Sequence, residues 1–154
     1  MAEFNVISYN VKGLRDKVKR TTIFNYLRDK VKEGIVCLQE THSSAEVHNS
    51  WNKEWESELF LNDATSNSAG VAIILALERD YKVLKYFQDE HGRLQIMSIT
   101  FDDHKFLIVN IYNHNLENGQ VDLLKRLNDA LDNFDTFDHK IIVWRFNLIY
   151  VAKL

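Results

Sequence analysis

Ile35-Val36-Cys37-Leu38-Gln39-Glu40-Thr41-His42 is a compact apolar run that turns polar without a break. Its length and composition predict a buried β-strand over Ile35–Gln39 that presents Glu40, Thr41 and His42 just past its carboxyl end. Upstream, Lys17–Lys32 carries Phe24, Leu27 and Val31 at helical spacing, with Ile23 beside them. Asp16 and the Thr21-Thr22 pair are alternative N-caps for that helix, and Gly34 is its expected stop. Before it, the β-branched and aromatic run Phe4–Tyr9 reads as a strand ending at Asn10. The opening of the chain is therefore β-α-β in order.

The rest of the chain continues the alternation. Ser43-Ser44-Ala45-Glu46 has the spacing of a capping box and opens a short helix with Trp51 and Trp55 one turn apart. Strands follow at Glu58–Leu61, Gly70–Leu77, Tyr81–Gln88, Leu94–Phe101 and Phe106–Tyr112. Val121–Phe134 is a second amphipathic helix with Leu124, Leu127, Leu131 and Phe134 on one stripe, and Lys140–Trp144 is a last strand. No linker, repeat or low-complexity segment divides the 154 residues, so they read as one mixed α/β domain.

Composition excludes several classes. The hydrophobic fraction of 45% is too high for a disordered chain. Nineteen basic against 22 acidic side chains give a net charge of −3, which rules out bulk attraction to nucleic acid but not a local patch. Lys12, Arg15, Lys17, Lys19 and Arg20 form such a patch, readable either as a solvated helix start or as a contact to a DNA backbone. The longest apolar run, Val71–Leu77, is far short of the ~20 residues that span a bilayer. The single cysteine, Cys37, has no internal disulfide partner, so a reducing intracellular setting is expected, nuclear or cytoplasmic. Proline is absent where about eight would be usual.

Asn10, Glu40, Tyr112–Asn115 and Asn147 all follow strand ends. Carboxyl ends of strands are where α/β folds bind ligands, and a carboxylate with amide oxygens is a hard donor set suited to Mg²⁺ more than to zinc. The same residue types also serve plain turns. The blocks Ile7-Ser8-Tyr9-Asn10-Val11-Lys12-Gly13-Leu14, Leu38-Gln39-Glu40-Thr41-His42, Gly70-Val71-Ala72-Ile73 and Asn110-Ile111-Tyr112-Asn113-His114-Asn115 closely resemble the endonuclease/exonuclease/phosphatase family. The resemblance is best to the apurinic-type endonuclease domain of non-long-terminal-repeat retrotransposons. Trp51-x-x-x-Trp55, Ser66-Asn67-Ser68-Ala69-Gly70 and Gly92-Arg93 look like the same branch.

That resemblance implies a two-sheet α/β sandwich with helices outside, and Mg²⁺-dependent hydrolysis of DNA phosphodiester bonds. Glu40 would be the principal Mg²⁺ ligand with Asn10 beside it. Tyr112 and Asn115 would lie against the scissile phosphate, and Asn147 would orient the attacking water. Lys12, Arg15, Asn67 and Arg93 would contact DNA. The remaining polar candidates have plainer readings. His42 and His114 are satisfied loop histidines, Cys37 is a small buried residue, and the two tryptophans pack between helix and sheet.

Two departures qualify the activity. The family's Gly-Asp-Phe-Asn block is here Trp144-Arg145-Phe146-Asn147, so a cation replaces the aspartate that engages the nucleophile. At an effective dielectric of ~20, a cation some 5 Å from Mg²⁺ costs on the order of several kcal/mol before screening. The family pattern also continues to a Ser-Asp-His motif that is not found after Asn147. The chain thus reads as the N-terminal two-thirds of a truncated, decayed endonuclease, weak or inactive. The alternatives are a non-cutting nucleic-acid or partner-binding remnant, and a phosphoesterase acting on another phosphate ester. Truncation further implies that strands from beyond Leu154 would complete the second sheet. Without them an uncovered apolar face would drive self-association.

Overall fold

β1 (Asn5–Asn10) and β2 (Gly34–Gln39), joined by α1 (Lys17–Lys30), pair in parallel. The computed structural model describes residues 4–64, 68–113 and 117–144. Asp16 is the N-cap of α1, its carboxylate accepting from the Lys19 amide at 2.7 Å. The helix ends at Val31 rather than at Gly34, which instead opens β2. A Cβ on Gly34 would collide with the Asn5 carbonyl, so glycine is what lets β1 and β2 pair in this register.

A single 3₁₀ turn, Ala45–Val47, leads into α2 (His48–Trp55). No side chain caps it, so the expected capping box does not form. The Ser43 hydroxyl is buried against Thr41 Oγ1, 3.3 Å away, and is withheld from the helix start. β3 (Glu58–Asn62) and β4 (Val71–Ala76) complete a mixed sheet in the order β1-β2-β4-β3. β5 (Tyr81–Gln88), β6 (Leu94–Phe101), β7 (His104–Ile111) and β8 (His139–Trp144) form a second sheet in sequence order. Its one parallel pair, β7–β8, is joined by α3 (Glu117–Leu131).

The two sheets pack face to face, with Phe4, Ile35, Cys37, Ile73 and Leu75 meeting Met97, Ile99, Phe106 and Ile108. Phe101 stacks on Phe106 at 4.2 Å while Phe4 stands edge-on to both. α1 and α2 cover the outer face of the first sheet through Phe24, Leu27, Trp51 and Trp55. α3 covers the second through Leu123, Leu127 and Ala130. The described strands thus form a two-sheet α/β sandwich in which each sheet covers the inner face of the other. Large apolar side chains remain exposed on its edge strands at Leu84 and Ile142. The α3 stripe is also turned from the expected one. Leu123 is buried and Leu124 is 45% exposed, because α3 rotates to set Leu123, Leu127 and Ala130 onto β6 and β7.

Cys37 is wholly buried, which pushes its thiol up to about 12 and leaves it chemically quiet. Among the described residues no helix is long and apolar enough to cross a membrane.

Candidate functional site

The carboxyl ends of β1, β2 and β7 and the starts of β4 and β6 meet at one edge of the sandwich. There the Asn10 side-chain amide donates to Glu40 Oε1 at 2.8 Å, and Asn10 Oδ1 accepts from the Lys12 amide at 3.1 Å. Asn10 is buried and Glu40 half-buried, so the hydrogen bond fixes a carboxylate that still faces outward. The Gly13 and Leu14 amides donate to the Glu40 and Thr41 carbonyls, and the Thr41 and His42 amides to Gly70 and Ala69. Gly70 in turn donates to Gly92, and Tyr112 to Arg93.

Backbone conformation marks this edge as well. Of the ten described residues with positive φ, seven lie in these loops: Lys12, Gly13, Glu40, His42, Ala69, Gly70 and Gly92. Glu40 itself sits at φ 56°, a left-handed conformation that a glutamate adopts only when its surroundings impose it. Burial holds the His42 imidazole below its ordinary pKa. Arg15 and Lys19 push the same way, and Glu40 opposes them.

Beneath the edge a buried polar strut joins the two sheets. Gln39 Nε2 donates to Asn110 Oδ1 at 2.9 Å. Asn110 Nδ2 donates to the Leu38 and Ala72 carbonyls and to Gln95 Oε1 at 3.0–3.2 Å. Gln95 continues to the Tyr86 hydroxyl at 2.8 Å. Gln39 is adjacent to Glu40 and Asn110 lies two residues before Tyr112, so the strut sets the spacing of the two strand ends. Gln39 Oε1 is buried without a hydrogen-bond partner.

No family model matches the chain. It is 24% identical over 149 residues to the transposon TX1 uncharacterized 149 kDa protein of Xenopus laevis, spanning 97% of this chain and 11% of that protein. Among solved structures it resembles the AP endonuclease LMAP from Leishmania major, with TM-score 0.62 and 17% identity over 92% of this chain and 54% of that one. It also resembles D. rerio TDP2 complexed with a single-strand DNA product, with TM-score 0.62 and 19% identity over 96% of this chain and 62% of that one. The chain has the endonuclease/exonuclease/phosphatase fold.

On this endonuclease/exonuclease/phosphatase framework the candidates from the sequence divide into three groups. Asn10, Glu40, Lys12 and Arg15 are brought together, with the Arg15 guanidinium donating to the His42 carbonyl at 2.8 Å. Arg93 and Tyr112 form a second pair on the same edge, the guanidinium lying 4.9 Å above the phenol ring and donating to the Asn113 carbonyl. Asn67, Asn115 and Asn147 lie outside the described residues, as do His114 and Arg145.

The basic run divides as well. Arg20 is buried, forms a two-pronged ion pair with Glu54 at 2.7 and 2.8 Å, and donates to the Leu14 and Arg15 carbonyls. It fastens α1 to α2 and holds the Glu54 carboxyl below its usual range. Lys12, Arg15, Lys17 and Lys19 stay exposed. The inter-sheet strut was not anticipated, although an asparagine inside the otherwise apolar Phe106–Ile111 run was a signal of it.

Proposed function

We propose that the chain is a retroelement endonuclease-type domain that engages a DNA phosphodiester backbone at the Asn10–Glu40 edge, with its hydrolytic step impaired. The observation that carries the reading is the Asn10–Glu40 hydrogen bond, which holds an outward carboxylate at a strand end where the backbone is forced into an unfavourable conformation. The transposon relative, the AP endonuclease and the DNA-bound TDP2 support the choice of nucleic acid as substrate class.

The donor set fits Mg²⁺, which is usually held by one or two carboxylates together with water and substrate phosphate. Glu40 would hold it, with Asn10 orienting the carboxylate. Among the described residues no group of three or more acidic, histidine or cysteine side chains forms a tighter, softer site. When bound, the ion neutralises charge developing on the phosphoryl oxygens and the leaving group. The chain's own residues do the positioning. Lys12 and Arg15 meet the phosphate backbone beside Glu40, and Arg93 over the Tyr112 ring supplies further positive charge on the same edge of the sandwich. By the family resemblance Tyr112 and Asn115 would hold the phosphate and Asn147 would orient water. In the sequence Arg145 replaces the family's aspartate, so the carboxylate expected to engage that water is missing from the motif.

Two measurements test this. Purified protein with Mg²⁺ should relax supercoiled plasmid no faster than background, because a positioned acid or base alone is worth ~10²–10⁴-fold. Metal-dependent nicking that vanishes in Glu40→Ala would overturn the impairment.

Binding of a labelled duplex, read by fluorescence anisotropy, should weaken about 40-fold between 50 and 200 mM salt if Lys12, Arg15 and Arg93 each meet a phosphate. Lys12→Ala and Arg15→Ala should each flatten the logarithmic salt slope by about one unit. Affinity indifferent to salt, or none at low salt, would remove DNA as the ligand.

A further inference from the structure

We infer that His104 and His139 form a two-imidazole binding site for a borderline transition-metal cation of the Zn²⁺ class, at the end of the sandwich opposite the Asn10–Glu40 edge. The two histidines open the parallel strands β7 and β8, and their Nδ1 and Nε2 atoms are 3.3 Å apart. That separation is the chord expected of two nitrogen ligands each ~2.0–2.1 Å from a tetrahedral cation, about 3.3–3.4 Å. His104 starts β7, and Ile111 at its other end borders Tyr112, about 23 Å away at the strand rise per residue. The site is thus independent of the hard-oxygen edge and of the proposed activity.

The His139 ring and the His104 backbone are held before any ion arrives. His139 stacks on Phe106 at 4.8 Å with 26° between planes, and the His104 carbonyl accepts from Thr100 Oγ1 at 3.0 Å. Between them, the Lys105 amide donates to the Asp138 carboxylate at 2.7 Å and the Asp138 amide to the Lys105 carbonyl at 2.8 Å. The histidines are only half-buried, so an ion reaches them from solvent. Asp102, Asp103 and Asp138 lie near them in sequence and are balanced by Lys105, Lys140 and by Arg79, which pairs with Asp102, so the nitrogen pair and not the surrounding charge is what would select the ion.

In the structure one ring nitrogen shares a proton with the other. Binding moves that proton to the far nitrogen of its own ring by exchange with water. Both facing nitrogens then present lone pairs to the ion. Among the described residues no third acidic, histidine or cysteine ligand completes the set, so water takes the remaining positions. Affinity should be on the order of 10–100 μM, as half the ligand set of a structural zinc site supports. The consequence is mechanical. An ion here would clip the edge strand β8 to β7 across the crossover that contains α3, constraining the chain much as a cross-link does.

The test is a Zn²⁺ titration of the intact chain, followed by calorimetry and by the histidine ring resonances. Saturable 1:1 binding that shifts the His104 and His139 signals is expected, with affinity reduced at least tenfold in His104→Gln and in His139→Gln. His48→Gln, which removes a histidine paired with Asp63 elsewhere, should bind Zn²⁺ unchanged. Thermal melts of the zinc-free variants report whether they fold. No binding up to 1 mM Zn²⁺, binding that survives both substitutions in folded protein, or shifts confined to other histidines would each overturn the site.

Discussion

Replacing Asn110 by leucine is expected to destabilise the fold by on the order of 3–5 kcal/mol although the side chains are of similar size. Asn110 is wholly buried and spends its amide on four partners: Gln39 Nε2, the Leu38 and Ala72 carbonyls, and Gln95 Oε1. Leucine fills the space but answers none of them, and buried groups left unpaired cost ~1–3 kcal/mol each. Gln39 softens the loss, since its amide also reaches Ser8 Oγ and the Cys37 carbonyl at 3.3 Å. For a chain of this size the midpoint of thermal unfolding should fall by about 10 °C. Chemical denaturation read by tryptophan fluorescence gives the free energy directly. A loss under about 1 kcal/mol would mean that water, not Asn110, satisfies these groups.

Trp51→Ala should cost about as much, ~3–5 kcal/mol, by a different route. Trp51 is 1% exposed, sits between α2 and the first sheet, and lies 5.2 Å from the Arg20 guanidinium. Removing it opens a cavity and strips the ring from a buried cation whose other contacts hold the Leu14 and Arg15 carbonyls beside the candidate site. Circular dichroism should show an intact but earlier-melting fold. A change of less than about 1.5 kcal/mol would show that the helix layer collapses into the gap.

Much of this architecture was legible from periodicity alone, because strand and helix repeats are properties of neighbouring residues. Each expected strand and helix has a counterpart, although α3 starts at Glu117 and ends at Leu131 instead of spanning Val121–Phe134, and Trp51 and Trp55 pack as expected. What escaped depends on partners distant in sequence. Arg20 belongs to a basic run in one dimension, yet in three it faces Glu54, 34 residues on. Ser43 has the right spacing to cap a helix but finds Thr41 first. Leu124 and Leu123 are equivalent by composition, and only the placement of α3 on β6 and β7 decides between them. At the candidate site Asn10 and Glu40 were paired from motif residues. The strut below them joins positions 71 and 72 residues apart that no local pattern links.

The strands of the two sheets do not interleave. Every ladder of the first sheet closes within residues 5–76 and every ladder of the second within 81–144. Each half can therefore zip its own backbone with no strand from the other, and the bonds with the largest sequence separation are those that join the halves. In kinetic terms, docking follows the zipping, and the Gln39–Asn110 contacts belong to the late part of the pathway. A lesion there then acts on the rate of unfolding and leaves the rate of folding nearly untouched. The buried amide strut is in this sense a latch, whose condition sets how long the assembled molecule lasts and not how fast it is made.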